Sequence, residues 1–235
     1  MEKILFACDL DGTLIHSHKR RRADDICVEI YDKHEQSFIA PRALDLLREI
    51  SERVIFVPVT TRSIAQYRRI FWAENFQPTF AVVANGAYFL DGDRCENFLR
   101  DEVSPFVDEL EIQHEKFFAD ERFNICRIVD ESFLFLRLAD DFDGEIFFDT
   151  RLTVQQTGKK IYLFPPPLNK GNALKRLVEK FSPSKIFAAG DTEIDLPMMI
   201  LADRAFAPQS LGGKFSDAPK FATEFLLQTF EEVFS

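Results

Sequence analysis

The sequence of 235 residues is poor in the features that mark secreted, membrane-bound or nucleic-acid-binding proteins. Its four cysteines are scattered without C-x-x-C or zinc-type spacing, so we interpret them as reduced thiols. No apolar run approaches the roughly 20 residues that span a bilayer, and no signal-peptide pattern precedes the first apolar run. A net charge of −10 disfavours binding to nucleic acid or to an anionic membrane. These absences predict a cytoplasmic protein without a nucleic-acid or membrane partner, and they leave its oligomeric state open.

A pair of acidic residues is the most informative feature that the sequence does contain. P-loop, G-x-S-x-G and dinucleotide-binding motifs are missing, whereas Asp9 and Asp11 directly follow the apolar run of residues 4–7. Such a run, bounded by Gly12, predicts a buried strand whose carboxyl end presents both side chains to a ligand crevice. One carboxylate is a competent nucleophile toward phosphorus, and a second can exchange protons with the leaving group and with water. The pair therefore indicates phosphoryl transfer through an aspartyl-phosphate.

Three further segments place polar residues at the end of a predicted strand or the start of a predicted helix. A β-branched run leads to Thr60, whose hydroxyl can donate a hydrogen bond to a phosphoryl oxygen. Lys170 precedes an amphipathic helix, and its ammonium can offset the charge of a nucleophile and a phosphoryl group. A third apolar run leads to Asp191 and Asp195, whose oxygens are ligands suited to Mg²⁺.

The electrostatics of this arrangement requires cations. Four carboxylates at one sheet edge would repel one another and any phosphate dianion, and they belong to Asp9, Asp11, Asp191 and Asp195. Two like charges about 4 Å apart cost on the order of 4 kcal/mol at an effective dielectric constant near 20. One divalent cation together with Lys170 reverses the sign of that interaction. The sequence therefore predicts Mg²⁺ as the cofactor.

In combination, these segments resemble motifs one to four of the haloacid dehalogenase-like superfamily, whose members are predominantly Mg²⁺-dependent phosphatases. The order D-x-D-G-T, Thr, Lys and G-D-x₃-D carries the resemblance. It implies that Asp9 is the nucleophile and Asp11 the general acid and base. It implies that both are also metal ligands, Asp11 through its backbone carbonyl, that Asp191 ligates Mg²⁺, and that Asp195 is a direct or outer-shell partner of the metal.

The resemblance also implies a set of residues that bind phosphate and substrate. Thr60, Thr61 and Lys170 are expected to hold the phosphoryl group, and Arg62 and Asn85 to contact the substrate. Thr61 stands where members of the subgroup usually carry glycine, which restricts the turn but keeps a hydroxyl group.

Strand and helix patterns alternate through residues 1–85 in the rhythm of a parallel, doubly wound, Rossmann-like sheet. The expected elements are strands over 4–8, 53–59 and 80–84 and helices over 41–52 and 63–74. From residue 86 the pattern changes to hairpins and a single long helix. The expected elements there are β-like runs at 87–90 and 95–99, a helix over 102–119, β-like runs at 124–129 and 133–138, a short element near 141–150, and a last pair of β-like runs at 153–156 and 160–164.

These patterns predict the fold class and the domains. We expect an α/β fold with a haloacid dehalogenase-like core over residues 1–85 and 166–235, and an inserted α+β cap over residues 86–165. Such a cap is similar to that of subgroup IIB, the Cof-like and sucrose-phosphate-phosphatase-like proteins. Caps of this kind close over the crevice and choose the leaving group, while the core supplies the chemistry.

Two departures from the family pattern stand out. Ile194 occupies a position where asparagine commonly precedes the second acid of motif four, and an isoleucine cannot ligate a metal, so a weaker or altered Mg²⁺ site is expected. Residues 19–40 are an addition in which four consecutive cations, residues 19–22, precede runs at 26–31 and 37–40 that predict a small hairpin flap. The cations either attract an anionic substrate or form a solvated surface loop.

Together these features predict a Mg²⁺-dependent phosphatase that acts on a small phosphorylated metabolite, a sugar phosphate or a related phosphomonoester. A phosphotransferase or phosphohexomutase is the alternative among enzymes, because the same phosphorylated Asp9 can pass its phosphoryl group to an alcohol. A signalling protein that keeps its phosphate, or a catalytically weak regulatory homologue, is the alternative of a different class.

Overall fold

The computed structural model describes residues 3–72, 76–208, 211 and 222–234, and within them it contains fourteen strands. The strands are β1 (Ile4–Cys8), β2 (His16–Ser17), β3 (Ile26–Tyr31), β4 (His34–Ile39), β5 (Val54–Pro58), β6 (Phe80–Val83), β7 (Tyr88–Asp91), β8 (Arg94–Asn97), β9 (Phe123–Val129), β10 (Phe133–Leu138), β11 (Thr153–Thr157), β12 (Lys160–Phe164), β13 (Lys185–Ala189) and β14 (Arg204–Phe206).

Seven α-helices and three short 3₁₀ turns connect these strands in the described part of the chain. The helices are α1 (Pro41–Ser51), α2 (Ile64–Arg68), α3 (Arg100–Val103), α4 (Val107–Phe118), α5 (Lys170–Phe181), α6 (Leu196–Met199) and α7 (Ala222–Phe234). The 3₁₀ turns are His18–Arg20, Ala84–Gly86 and Ser104–Phe106. Within the described ranges no helix has the length and apolar character needed to cross a membrane.

A parallel sheet forms the centre of the fold. Its four strands lie in the order β14-β13-β1-β5, and the register pairs Cys8 of β1 with Ala189 of β13 and with Pro58 of β5. A single parallel bridge between Val59 and Val82 places β6 beside β5. The carboxyl ends of β1, β5 and β13 therefore meet at one edge, as the alternation of strand and helix patterns predicts.

Both faces of this sheet are buried, because successive side chains of a strand point to opposite faces. On one face, Phe6 and Phe187 belong to the hydrophobic cluster that contains Leu47 of helix α1. On the other face, Leu5 belongs to the cluster that contains Leu174 of helix α5. Helices thus cover the sheet on both sides, and the predicted α/β, doubly wound fold class is confirmed.

A second, antiparallel sheet follows the central strands β6 to β8. Its strands lie in the order β11-β12-β10-β9. One face packs against helix α4, where Leu136 and Leu110 share a hydrophobic cluster. The opposite face presents Phe135, Tyr162 and Lys160 to cavities at the carboxyl ends of the central strands. This α+β unit therefore stands over the edge where the chemistry is expected.

The third sheet is the predicted flap. Its strands lie in the order β2-β4-β3, and the tight turn between β3 and β4 holds Asp32 and Lys33 at φ values of 48° and 63°. Two consecutive residues with positive φ are typical of a hairpin turn whose twist matches the flanking strands. The hairpin predicted within residues 19–40 is thus present.

The hairpin β7–β8 pairs with β6 and so continues the central sheet. Both strands of this hairpin nevertheless fall within residues 86–165, the range predicted to form the cap. The division into core and cap stays a prediction, and this pairing favours a cap that begins after Asn97.

Two predicted helices are shorter than expected for identifiable reasons. The helix predicted over residues 63–74 ends at Arg68, since Ile70 and Phe71 pair instead with strand β3, and residues 73–75 lie outside the described part. The helix predicted over 102–119 is interrupted by the 3₁₀ turn that contains Pro105, which lacks the N–H of a helical hydrogen bond. The element predicted near residues 141–150 is neither helix nor strand.

The ring of Phe6 offers a test of the central packing. It is fully buried and contacts the rings of Phe56, Phe187 and Phe225. We expect Phe6→Ala to lower the free energy of unfolding by about 3–5 kcal/mol, because the cavity is only partly refilled. The matched control is Phe147→Ala, since that side chain is 86% exposed, and its change is expected to stay within about 0.5 kcal/mol. Urea denaturation measures both, and equal losses would contradict the packing described.

Candidate active site

The predicted catalytic residues meet where the central strands end. Asp9 directly follows β1, Asp191 follows β13 after a single glycine, and Lys170 is the first residue of helix α5. Asp195 precedes helix α6. Helix α5 begins cleanly because the side chain of Asn169 accepts a hydrogen bond from the backbone N–H of Asn172. That cap fixes the position from which the side chain of Lys170 enters the site.

Lys170 joins two of the acids. Its Nζ lies 2.5 Å from Oδ1 of Asp9 and 2.6 Å from Oδ1 of Asp195, and its side chain is 1% exposed. Burial favours the neutral amine, but the charges of Asp195 and Asp9 outweigh it and hold the pKa of Lys170 above its usual value. A permanent ammonium therefore sits between the two carboxylates.

Asp195 acts mainly as a structural acceptor. Its second oxygen, Oδ2, accepts hydrogen bonds from the backbone N–H groups of Asp191 and Thr192 and from the hydroxyl of Thr192. Gly190 is needed beside it, because a Cβ at that position would lie 2.3 Å from the Cβ of Asp195. With both oxygens engaged, Asp195 is better placed to orient Lys170 and the Asp191 loop than to bind a metal directly.

Asp9 and Asp191 have the oxygens that fit a divalent cation. Carboxylate oxygens of Asp9, Asp191 and Asp195 lie within 4.8 Å of one another, and among the described residues Oδ2 of Asp9 has no hydrogen-bond partner. Thr13 donates a hydrogen bond to Oδ1 of Asp191 at 3.0 Å. Close approach of Asp191 depends on Gly12, where a Cβ would lie 2.4 Å from Oδ2 of Asp191.

The charges of this cluster are not balanced by the chain itself. Three carboxylates face the single ammonium of Lys170. Burial raises the pKa of Asp9 to about 8, with repulsion from Asp195 and Asp191 adding to it, although Lys170 opposes the rise. Burial likewise raises the pKa of Asp191. Hard oxygen donors with excess negative charge are the donor set that Mg²⁺ prefers, so these residues fit the metal predicted from the sequence.

Asp11 is held by an arginine. Nε and Nη2 of Arg62 lie 2.6 and 2.8 Å from the two carboxylate oxygens of Asp11. Enclosure in the cleft acts to raise the pKa of Asp11, but the hydrogen bonds and charge of Arg62 outweigh it and lower that pKa. In this arrangement Arg62 favours the ionised form of Asp11.

Arg62 is positioned by the flap, which sequence reasoning did not connect with the site. Nη1 of Arg62 lies 2.9 Å from Oε2 of Glu29, and Arg69 binds Oε1 of the same carboxylate at 2.9 Å. The hydroxyl of Ser37 donates to Oε2 at 2.6 Å. The Glu29 side chain is only 3% exposed. A charged residue within the apolar run of β3 was the signal in the sequence, but its partners follow only from the tertiary structure.

The structure separates the two threonines and places Asn85 away from the cavities. Thr61 lines both cavities described below, whereas Thr60 is buried and its hydroxyl accepts a hydrogen bond from the backbone N–H of Arg62. Asn85 is buried and donates to the carbonyl of Leu168, two residues before Lys170. The phosphate- and substrate-binding roles assigned to these residues stay predictions.

Two adjoining cavities occupy the cleft between the central sheet and the second sheet. The first, of about 410 Å³, contains Asp9, Lys170 and Asp191, and Ile194 forms part of its wall. The second, of about 340 Å³, lies between the flap and the second sheet. The wall common to both is formed by Asp11, Ser17, Thr61, Lys160 and Tyr162. Because side chains alternate along a strand, the sequence predicts that Lys160 and Tyr162 lie on the same face of β12. It does not predict that this face lies against the central sheet.

Two of the four flap cations reach the first cavity. Lys19 and Arg20 line it, whereas Arg21 pairs with Glu35 at 2.5 Å on the surface. The first half of this run therefore borders the first cavity, and attraction of an anionic substrate by these cations stays a prediction.

A family model describes much of this chain. Residues 93–210, half of the sequence, match the model of haloacid dehalogenase-like hydrolases, and the chain belongs to that family. Lys170, Asp191 and Asp195 lie inside the matched range, while Asp9 and Asp11 precede it. No curated protein matches the sequence.

Solved structures share the fold over almost the full length. The sucrose-phosphatase of Synechocystis sp. is 16% identical, with a TM-score of 0.65 over 98% of this chain and 99% of that chain. The C-terminal domain of the trehalose-6-phosphate phosphatase of C. albicans is 15% identical, with a TM-score of 0.62 over 99% of this chain and 92% of that chain. A haloacid dehalogenase-like hydrolase of B. subtilis is 16% identical, with a TM-score of 0.60 over 97% and 99% of the two chains. These likenesses confirm the predicted fold.

The buried carboxylate of Glu29 gives a test of the link between flap and site. We expect Glu29→Gln to lower the free energy of unfolding by about 3 kcal/mol, because Arg62 and Arg69 lose a buried counter-charge. Glu35→Gln in the same hairpin is the matched control. Its partner Arg21 is exposed, so the expected loss is below about 1 kcal/mol. Urea denaturation of both variants makes the comparison, and indistinguishable midpoints would show that the network does not hold the flap.

Proposed function

We propose that this protein is a Mg²⁺-dependent phosphatase that hydrolyses a small phosphomonoester through an aspartyl-phosphate on Asp9. The observation that carries the proposal is the contact of Nζ of Lys170 with Oδ1 of Asp9 at 2.5 Å inside a cluster of carboxylates. An ammonium in that position offsets charge on the nucleophile and on an approaching phosphoryl group. Membership of the haloacid dehalogenase-like hydrolases supports the same reaction class.

Asp9 and Asp191 are the residues we propose to hold Mg²⁺, with the backbone carbonyl of Asp11 as a further ligand. Asp195 supports them through Lys170 and the Asp191 loop. When bound, Mg²⁺ supplies positive charge that neutralises the carboxylates and the phosphoryl oxygens. Because burial raises the pKa of Asp9, a bound cation would favour the ionised form of the nucleophile.

Two displacements at phosphorus make up the reaction. In the first, a carboxylate oxygen of Asp9 forms a bond to phosphorus as the bond to the leaving oxygen breaks, and the leaving oxygen takes a proton from Asp11. In the second, Asp11 takes a proton from water, whose oxygen bonds to phosphorus and displaces Asp9. Phosphate is released and both aspartates regain their starting states.

Arg62 must release Asp11 for the first step. While the guanidinium is bidentate on Asp11, that carboxyl stays ionised and has no proton to give. A phosphoryl or leaving-group oxygen that attracts Arg62 would loosen the pair and let the pKa of Asp11 rise. Substrate binding and protonation of the acid are thereby coupled.

The substrate class follows from the cleft and from the likeness in fold. The two cavities are open to a ligand of metabolite size, and the antiparallel sheet over them is the proposed cap. The Synechocystis sucrose-phosphatase was solved in complex with sucrose and phosphate, and the C. albicans protein is a trehalose-6-phosphate phosphatase. A sugar phosphate or a related small phosphoester is therefore the class to test.

The nucleophile is tested by Asp9→Asn with p-nitrophenyl phosphate and Mg²⁺. We expect the wild type to release phosphate, to stop on chelation with EDTA and to recover with added Mg²⁺. The variant is expected to lose at least about 1,000-fold in rate, because an amide matches the carboxylate in shape but does not attack phosphorus. Activity in the variant, or in metal-free wild type, would rule out the mechanism as written.

The acid is tested by Asp11→Asn with a series of phosphoesters that differ in leaving group. An alkyl alcohol needs a proton as it leaves, whereas p-nitrophenolate does not. We expect the variant to lose roughly 10- to 100-fold more in the rate of phosphoryl transfer to Asp9 for alkyl esters than for p-nitrophenyl phosphate. Rates of single turnovers measure the difference, and a uniform loss over the series would argue against a general-acid role.

A further inference from the structure

The second cavity is strongly cationic in an acidic protein. Five cations line it, and they are Arg62, Arg69, Arg127, Arg137 and Lys160, against two acids, Asp11 and Glu29. The chain as a whole carries a net charge of −10. An excess of three positive charges in a cleft that adjoins the proposed phosphoryl site raises the local concentration of anions there.

Two of the five cations are already neutralised. Arg62 binds Asp11 and Glu29, and Arg69 binds Glu29. Arg137 has a partner in Asp140 at 2.8 Å, but that carboxylate is 77% exposed, and an ion pair with so exposed a partner is weak. Among the described residues, neither Arg127 nor Lys160 forms an ion pair. The uncompensated charge therefore lies on the second sheet.

These cations occupy one face of that sheet. Arg137 of β10 stands directly opposite Lys160 of β12 in the register, and like charges in directly opposed positions destabilise a sheet. Arg127 of β9 stands opposite Phe135, and its guanidinium lies 5.6 Å from the centre of that ring. An anion bound between these opposed cations would relieve their repulsion.

The same face also offers apolar surface. Phe135 stands opposite Tyr162 in the register, and the two ring centres lie 5.3 Å apart. Tyr162 lines both cavities, so this surface runs from the proposed phosphoryl site toward the cationic cluster. A carbon skeleton lying on the two rings would carry its far end to the cations.

Building on the proposed phosphatase activity, we propose that the leaving group of the substrate carries a second anionic group, a carboxylate or a phosphate, which is bound by Arg127, Arg137 and Lys160. The substrate is thus a small phosphomonoester with negative charge at both ends. One end meets Asp9 and Lys170, and the carbon skeleton between the ends rests on Phe135 and Tyr162.

Matched pairs of substrates test the proposal in Mg²⁺ at fixed ionic strength. The carboxylate arm compares 3-phosphoglycerate with glycerol 3-phosphate and 6-phosphogluconate with glucose 6-phosphate. The phosphate arm compares fructose 1,6-bisphosphate with fructose 6-phosphate. We expect kcat/KM to favour the doubly anionic member of at least one arm by roughly tenfold or more, which is the effect of one charge-assisted contact. Equal values in both arms would overturn the proposal.

Substitutions in the second sheet test where the second anion binds. In the double variant Arg127→Gln, Arg137→Gln, the ratio of kcat/KM between the doubly anionic substrate and its partner is expected to fall to about threefold or less. The reason is that the contacts to the second anion are lost. The matched control is Arg94→Gln, an exposed arginine of β8 that lines neither cavity, and it is expected to keep the ratio. A double variant that keeps the full preference would place the second anion elsewhere.

A binding measurement separates this inference from the proposed activity. If p-nitrophenyl phosphate and the whole panel release no phosphate, the phosphatase proposal fails, and calorimetry still compares 3-phosphoglycerate with glycerol 3-phosphate. Tighter binding of 3-phosphoglycerate that disappears in the double variant supports the anion site without turnover. The same measurement compares fructose 1,6-bisphosphate with fructose 6-phosphate, and equal affinities within both pairs overturn the inference whether or not the protein is a phosphatase.

Discussion

The buried ammonium of Lys170 is the interaction on which the site depends. It lies between Asp9 and Asp195 with 1% of its side chain exposed. Removing Lys170 would leave two buried carboxylates without their counter-charge, which is strongly destabilising in a protein interior. Because Asp195 in turn holds the backbone of Asp191 and Thr192, one side chain sets the geometry of strands β1 and β13 and of helix α5 together.

The positions of the candidate site residues could be predicted from the sequence because they follow from local rules. Asp9, Lys170 and Asp191 each stand at a strand end or a helix start, and parallel strands bring such positions to one edge. The flap network could not be predicted in this way. Glu29, Arg62 and Arg69 come together only when strand β3 packs beside helix α2, and no local pattern encodes that pairing.

The same limit explains the errors in secondary structure. The pattern of residues 63–74 favours a helix, yet Phe71 donates its backbone hydrogen bond to Val28 of the flap, so tertiary pairing overrides a local preference. Around Pro105 a local effect breaks the predicted helix. Pro105 has no backbone N–H, so the helix is interrupted there although the apolar pattern continues. The strands β10 and β12 were predicted as β-like runs over residues 133–138 and 160–164, whereas the cavity-lining position of Lys160 depends on how the second sheet stands over the first.

Arg62 links three parts of the molecule that the sequence places far apart. Its guanidinium binds Asp11, Glu29 and the hydroxyl of Ser37, and it lines the cationic cavity. Since Glu29 is buried and also binds Arg69, Arg62 keeps a counter-charge when it turns from Asp11 toward a ligand. In the proposed mechanism, a substrate anion that draws Arg62 away lets the pKa of Asp11 rise, so Asp11 takes a proton from solvent while Arg62 keeps Glu29 as its partner. The flap therefore does more than cover the cleft, because the buried carboxylate of Glu29 gives Arg62 a counter-charge in addition to Asp11.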